Sequence, residues 1–511
     1  MSDNKQIAKN IFFNVGSFGV NLFISFFFTP YLIRVVGKEA YGFFPLVNNI
    51  IGYSYIITVA IGSVAGRFIT MYLYKNDIEE ANRYFNSALV ANIVISAFFT
   101  LLATIATIYL DSILTIPENL VGEVKWLFTF GCISLILGIC TSVLGVGTYV
   151  KNRLDKQASC TVISNFIRVG MILLLFWLLH PSIVYMSFSA VIASIYVAIC
   201  NVGFKKKLLP ELKCSMRKYF SLAKLKSMLS SGMWNSLTQL SHVLLTQLDL
   251  LVTNIFIGAA ATADFSIAKT APLLILSLLT VVAGAFGPQF NILYAQGKNQ
   301  QLISEINKSV VFVGLLISIP IGFLLVFAGD FFKLWVPTAY NENIYWLSFL
   351  TVIPLIFGAS INPIYNIFTV TNKLKAPSLV LLVAGLLYTV VVLVFLKTTN
   401  VGIWIIPIAS AVQQIARNFF FTPIYAARCL HQKWNTFYIA QFKGVLALCV
   451  TVSAGIVVRN LLHPNTWISL GVSVVLISVF ALVVNSFVVL KKSERYYVRG
   501  VVMNKIFRKK K

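Results

Sequence analysis

Fourteen apolar runs follow one another along this chain, each long enough to cross a bilayer and each bounded by charged or turn-forming residues. That succession constrains the fold more than any motif does. A hydrocarbon core takes about 20 apolar residues per helical crossing. Its lack of water forces every backbone N–H and C=O to find a partner within the spanning structure. The runs fall at residues 11–33, 42–66, 87–110, 126–146, 160–179, 182–202, 231–257, 265–290, 309–327, 344–370, 378–396, 402–425, 437–458 and 466–490. Composition agrees: 58% of the 511 residues are hydrophobic and 11% are charged, against roughly half and a quarter in soluble chains. The predicted fold class is all-α, a polytopic membrane protein of about 14 transmembrane helices. The first run continues past Pro30 with no small-residue cleavage site, so it reads as a retained helix and not as a signal peptide.

Lys and Arg number 41 against 16 Asp and Glu, a formal charge of +25. In a soluble chain that excess would point to nucleic acid; here position decides. With the N-terminus in the cytoplasm, 31 of the cations fall in cytoplasmic segments, 6 in outer loops and 4 (Arg168, Lys269, Arg417, Lys443) inside runs. The positive-inside rule therefore places both termini in the cytoplasm and accounts for the charge without nucleic acid. The basic loop 205–226 and the basic tail 491–511 set topology and attract anionic lipid. Seven cysteines show no metal or redox spacing and read as small core hydrophobes.

The chain also repeats itself. At an offset of 221, Asn14 matches Asn235, Asn21 matches His242, Gly37 matches Gly258, Gly66 matches Gly287 and Asn86 matches Asn307. At 220, Pro117 matches Pro337, Trp126 matches Trp346, Gly138 matches Gly358, and 150–154 match 370–374. Six spans separate equivalent helices, so both copies enter the membrane in the same sense. Parallel repeats related by an axis along the membrane normal are a transporter architecture, with the substrate site between the halves. The expected domains are an N-terminal lobe at 1–204 and a C-terminal lobe at 205–434 that begins with the basic loop. Two further helices and the tail occupy 435–511.

The first helix carries Asn14, Ser17, Asn21, Ser25 and Thr29, and the seventh carries Asn235, Gln239, His242, Thr246, Asp249 and Thr253. Helical spacing gathers each set on one face. A polar face meets either a neighbouring helix or a hydrated cavity, and repeat mates would face each other across the pseudo-axis. Asn21, Asn235 and Gln239 are on that ground candidate substrate contacts. Asp249 and Lys269 flank one short outer loop, as a pair that closes that end or as a site in which Lys269 holds an anionic head group and Asp249 tunes it or binds a coupling cation. Arg34 is an interfacial anchor or a further ligand for the anion. Arg67 is a topology anchor or a first contact from the cytoplasm. His242, near mid-membrane, is a structural histidine or a proton-coupling group. Arg168 lies too deep in the fifth run to reach an interface easily, whereas Lys443 is placed to do so. Arg417 sits beside Gln413, Gln414 and Asn418 in a polar knot that serves as lobe packing or as cavity lining. Pro30, Pro45, Pro272, Pro288, Pro354 and Pro363 interrupt helices and free backbone groups.

The stretch FTPYLIRVVG at 28–37, with AYG at 40–42 and 62–67 after it, resembles the start of the Wzx-type polysaccharide flippases. These belong to the multidrug/oligosaccharidyl-lipid/polysaccharide exporter superfamily. QLDLL at 247–251 through Gly258, followed by Pro288, is similar to the start of their second lobe. The resemblance implies a bacterial inner-membrane protein that moves a polyprenyl-pyrophosphate-linked oligosaccharide to the outer leaflet by alternating access. The destination is surface polysaccharide of the O-antigen kind, with assembly enzymes as possible partners, H+ or Na+ as coupling cation and no cofactor. In that family cavity cations serve the anion; Arg34, Arg67 and Lys269 match by position.

Two other classes fit less well. A cation-coupled exporter of small drugs would carry twelve spans and acidic cavity residues, and Asp249 is the one convincing intramembrane acid here. A polysaccharide polymerase, ligase or acyltransferase would need a large outer loop or a His-Asp constellation, whereas His180, His431 and His463 are scattered. No catalytic chemistry and no metal site are expected.

Overall fold

A computed structural model describes residues 3–488 and Arg495. The tail cluster 491–511, Arg495 aside, and the end of the fourteenth run at 489–490 lie outside the described residues. Regular structure among the described residues is helical. The principal helices are α1 (Asp3–Val36), α2 (Lys38–Gly52), α3 (Tyr55–Tyr74), α4 (Ile78–Ile108), α5 (Val121–Ser142), α6 (Leu154–Leu178), α7 (Val184–Leu208), α8 (Leu222–His242) and α9 (Leu248–Phe256). They continue as α10 (Ala259–Gly284), α11 (Gly287–Ala295), α12 (Asn299–Trp335), α13 (Glu342–Val352), α14 (Lys375–Thr398), α15 (Ile405–Ala416), α16 (Thr422–Cys429), α17 (Tyr438–Leu462) and α18 (Trp467–Val488).

Among the described residues, 11 helices are long and apolar enough to cross a membrane, or up to 12 if the pair bent by 58° at 342–370 is one span. Two of the fourteen expected runs, 231–257 and 402–425, are not among them. Each is helical but interrupted by a π-turn, at Val243–Gln247 and at Arg417–Phe421. The prolines divide into two groups. Pro30, Pro45 and Pro272 lie inside α1, α2 and α10. Pro288, Pro354 and Pro363 stand where helical segments begin, a position in which the missing N–H has no intrahelical partner to lose.

The internal repeat is visible in the backbone. Gly37 and Gly258 take φ of 89° and 123°, Asn76 and Gly297 take 59° and 68°, and Asn152 and Asn372 take 50° and 53°. Each pair holds the repeat offset of 220 or 221. Left-handed backbone is uncommon outside Gly and Asn, so three such turns in register mark corresponding helix ends. The 3₁₀ breaks at Val143–Gly145 and Asn362–Ile364 lie one residue from that register. His463 caps α17 at φ 40°, and His431 takes φ 54°. Two of the scattered histidines are thus turn residues.

By packing, the chain divides into residues 1–266 with 381–386, and 267–380 with 387–511. This boundary is one of compactness, whereas the boundary at 204 is one of sequence register. The first unit is centred on Ile61, Ile69, Phe85, Ala88, Leu212 and Met228, buried among α3, α4, α8 and the basic loop. Asp77 caps α4 by accepting from the Glu80 N–H at 3.0 Å, the first half of a capping box. One turn on, Asn82, Asn86 and Ser87 are buried and hold the basic loop. Asn82 accepts from the Lys213 N–H at 2.6 Å, Asn86 donates to the Lys213 carbonyl at 2.8 Å and accepts from the Ser215 N–H at 2.9 Å, and Ser87 accepts from the Ser221 N–H at 3.0 Å. Lys224 pairs with Glu80. The loop is bonded to α4 through buried amides, not only tethered by its ends.

The second unit is centred on Phe290, Ile306, Val310, Ile364, Ala426 and Phe437. The two C-terminal helices belong to it. Gly314 of α12 meets Gly444 of α17 so closely that a Cβ on Gly314 would lie 2.8 Å from the Gly444 Cα. Small residues permit such backbone approach between membrane helices. Higher on the same seam Ser318 and Thr451 hydroxyls are 3.2 Å apart, and Asn485 of α18 donates to the Ala447 carbonyl at 3.2 Å.

Candidate functional site

The polar stripe of α1 is partly engaged by α6 and the turn before it. Asn10 donates to the Asn152 carbonyl at 3.0 Å and accepts from the Asp155 N–H at 3.0 Å. Gln6 donates to the Asp155 carboxylate at 2.9 Å. Buried Asp155 also pairs with Lys9 at 3.1 Å and accepts from Arg153 through two bonds of 3.1 and 3.2 Å. Further along, Asn21 is half-buried and accepts from the Asn165 amide at 2.6 Å.

The stripe on the seventh span is broken in the middle. A π-turn inserts an extra residue into the helical ladder, a distortion frequent at functional sites, and Val243–Gln247 separates His242 from Asp249. The Gln247 carbonyl accepts from the Asn49 amide at 3.4 Å and the Tyr53 hydroxyl at 3.3 Å, so side chains of the second span serve backbone at the distortion. Below it, Asn235 is exposed and donates to Ser63 at 3.0 Å, Gln239 is half-buried and His242 is exposed. Above it, Asp249 is buried, and its carbonyl accepts from the Thr253 hydroxyl at 2.7 Å.

Lys269 is also buried, at 6% exposure, ten residues into α10. Arg34 is exposed at the last turn of α1, where a cation suits the helix dipole. Among the described residues it makes no ion pair. Arg67 is exposed, its guanidinium 5.5 Å from the centroid of the Phe68 ring, within cation–π range.

The knot around Arg417 proves to be packing within the second unit. Buried Asn418 accepts from the Tyr365 hydroxyl at 2.6 Å and from Arg417 Nε at 3.3 Å, while Gln441 of α17 donates to the Asn418 carbonyl at 3.3 Å and the Phe357 carbonyl at 3.2 Å. The second π-turn lies here, so freed backbone groups are met by buried amides.

Three features escape a reading by runs and stripes. The Asp155 hub is one. At the end of the first unit remote from the N-terminus, Lys38 pairs with buried Asp264, and buried Asn254 exchanges hydrogen bonds of 2.9 and 3.2 Å with the Thr115 backbone. The repeat register could have found this place, since Gly42 meets its own repeat mate Ala263, whose Cα would lie 2.8 Å from a Cβ on Gly42. The third is a cavity of about 660 Å³ inside the first unit, with Arg168 in its wall. The seven cysteines are all free; Cys214 and Cys449 are exposed and so are not core residues. No three His, Cys, Asp or Glu cluster as metal ligands among the described residues.

Residues 7–291 match the family described as polysaccharide biosynthesis protein. The chain belongs to that family. It is 30% identical over 497 residues, 96% of this chain and 97% of the relative, to the uncharacterized membrane protein EpsK of Bacillus subtilis (strain 168). Its fold is that of the lipid II flippase MurJ in an inward closed conformation, with TM-score 0.63 at 12% identity over 95% of this chain and 98% of the other. An outward-facing multidrug resistance MATE family transporter of the MOP superfamily follows, with TM-score 0.59 at 13% identity over 88% and 96%. The resemblance read at 28–37 and 247–258 is borne out at the level of the family: this is a multi-pass helical membrane protein of the polysaccharide biosynthesis family, with a fold shared by MurJ and MATE transporters.

Proposed function

We propose that this protein moves a polyprenyl-pyrophosphate-linked oligosaccharide from the cytoplasmic to the outer leaflet of a bacterial inner membrane by alternating access, for surface polysaccharide. Both termini lie in the cytoplasm, the helices number fourteen, and the lobes are 1–204 and 205–434, with 435–511 added. The observation that carries the reading is buried Lys269, on an apolar spanning helix of a polysaccharide biosynthesis family chain. A cation at membrane depth is retained for function far more often than for packing. A pyrophosphate and its sugars cannot enter hydrocarbon unaided; a cation at each end of the path lowers that barrier. Arg67 meets the head group first, Lys269 holds it at depth, and Arg34 receives it at the far end. Asn21, Asn235 and Gln239 bond the sugars. Asp249 and His242, on either side of the π-turn, take the coupling cation. The likeness in fold to a lipid II flippase supports the choice of a lipid-linked cargo.

The test is surface polymer in cells whose own copy has been replaced. Lys269→Ala and Arg34→Ala are expected to lower surface polysaccharide at least about tenfold, the effect of losing a charge-assisted hydrogen bond, while the protein reaches the membrane at normal abundance. Normal polymer in both variants overturns the assignment of these cations.

A further inference from the structure

The cavity inside the first unit is walled by α2, α3, α4, α5, α6 and α7. Its volume of about 660 Å³ falls in the range of ligand pockets and would hold roughly twenty waters. Arg168 is the single charged residue among the described residues of its lining. It stands fourteen residues into α6, about 21 Å along the helix from Leu154. Among the described residues the guanidinium has neither carboxylate nor hydrogen-bond acceptor; the residue is partly exposed and lines this cavity. The hydroxyls of Ser63, Ser134, Ser187 and Ser194 and the amide of Asn48 share the lining. Ser134 and Ser194 are bonded to each other at 2.7 Å, and the Asn48 amide donates to the Phe44 carbonyl at 2.9 Å. Gly138 also lines the space, and a Cβ added there would meet nothing within 4 Å.

A cation at this depth is costly unless something compensates it, and among the described residues no anion is supplied to it. The planar guanidinium fork matches two oxygens of a phosphate or carboxylate, and hydroxyls in the same lining can donate to the remaining oxygens. We infer that this cavity is an oxyanion-binding site with Arg168 as its cation. None of Arg34, Arg67 and Lys269 is in its lining, and the inference does not rest on their assignment. Such an oxyanion has three sources: free in solution, on a lipid head group, or on an acidic sugar.

The full chain, purified in detergent, is titrated with sodium pyrophosphate, farnesyl pyrophosphate and glucuronate, and binding is followed by calorimetry. The same titrations are repeated in a background carrying Arg34→Ala, Arg67→Ala and Lys269→Ala, which removes all three cations assigned to the path. Saturable binding of at least one probe is expected in both backgrounds. Arg168→Gln should weaken it at least about tenfold, Gly138→Leu should weaken it by narrowing the space, and Lys397→Gln, at an exposed position, should leave it unchanged. The probe that binds identifies the source. Should Arg168→Gln fail to fold, Gly138→Leu decides. No saturable binding by any probe, or binding that neither cavity variant moves, overturns the inference.

Discussion

Gly232→Ala is expected to prevent this protein from reaching a stable fold. Gly232 is buried on α8 against α3, and a Cβ there would lie 1.9 Å from the Ala60 carbonyl oxygen and 2.6 Å from its carbon. The obstacle is backbone, so no rotamer relieves it and the two helices must part. Overpacking of this kind costs about 1–3 kcal/mol when side chains can yield and more when backbone must shift. Parting α3 and α8 would also disturb the core of Ile61, Phe85 and Met228 and the bond from Asn235 to Ser63. Fluorescence-detected gel filtration should show little monodisperse Gly232→Ala protein, with a sharply lowered melting temperature in what remains. Gly170→Ala, where an added Cβ meets nothing within 4 Å, serves as the control and should melt like the parent. Equal melting of the two variants would contradict this packing.

Asp155→Ala should be the most damaging loss of a single charge. Its carboxylate is buried, yet Lys9, Arg153 and Gln6 all bond to it. Removing one member of a buried pair leaves the others uncompensated, commonly at 3–5 kcal/mol. Lys9 and Arg153 are 37% and 33% exposed and regain water, so about 2–3 kcal/mol is the reasonable expectation. Asp155→Asn keeps an acceptor for Gln6 and should fall between. Thermal melting in detergent measures both, and a parent-like Asp155→Ala would show that α1 is held by other contacts.

Much of the fold was legible because the bilayer imposes it. Apolar length located the helices, and the offset of 220 or 221 had already paired Gly37 with Gly258 and Asn152 with Asn372, positions at which the structure has left-handed turns. The polar residues on the seventh span and the Arg417 knot were also visible. Their π-turns were not, since a period of 3.6 gives no sign of one extra residue in the ladder. Arg168 was conspicuous as a deep cation, but its cavity is assembled from Asn48, Ser63, Ser134, Ser187 and Ser194, hydroxyl and amide residues that look like ordinary helix composition one span at a time. The Asp155 hub joins residues 149 apart, which no local pattern records. For the same reason Lys38 and Asp264 stood unremarked among loop charges.

Flipping by the purified chain tests the central claim most directly. Reconstituted into vesicles carrying a fluorescent polyprenyl-pyrophosphate oligosaccharide in both leaflets, the protein should expose the inner-leaflet fraction to a membrane-impermeant quencher added outside. Lys269→Ala, incorporated to the same density, should leave that fraction protected. An inner-leaflet fraction equally protected with and without the parent protein, under an imposed H+ or Na+ gradient as well as without one, would contradict the account.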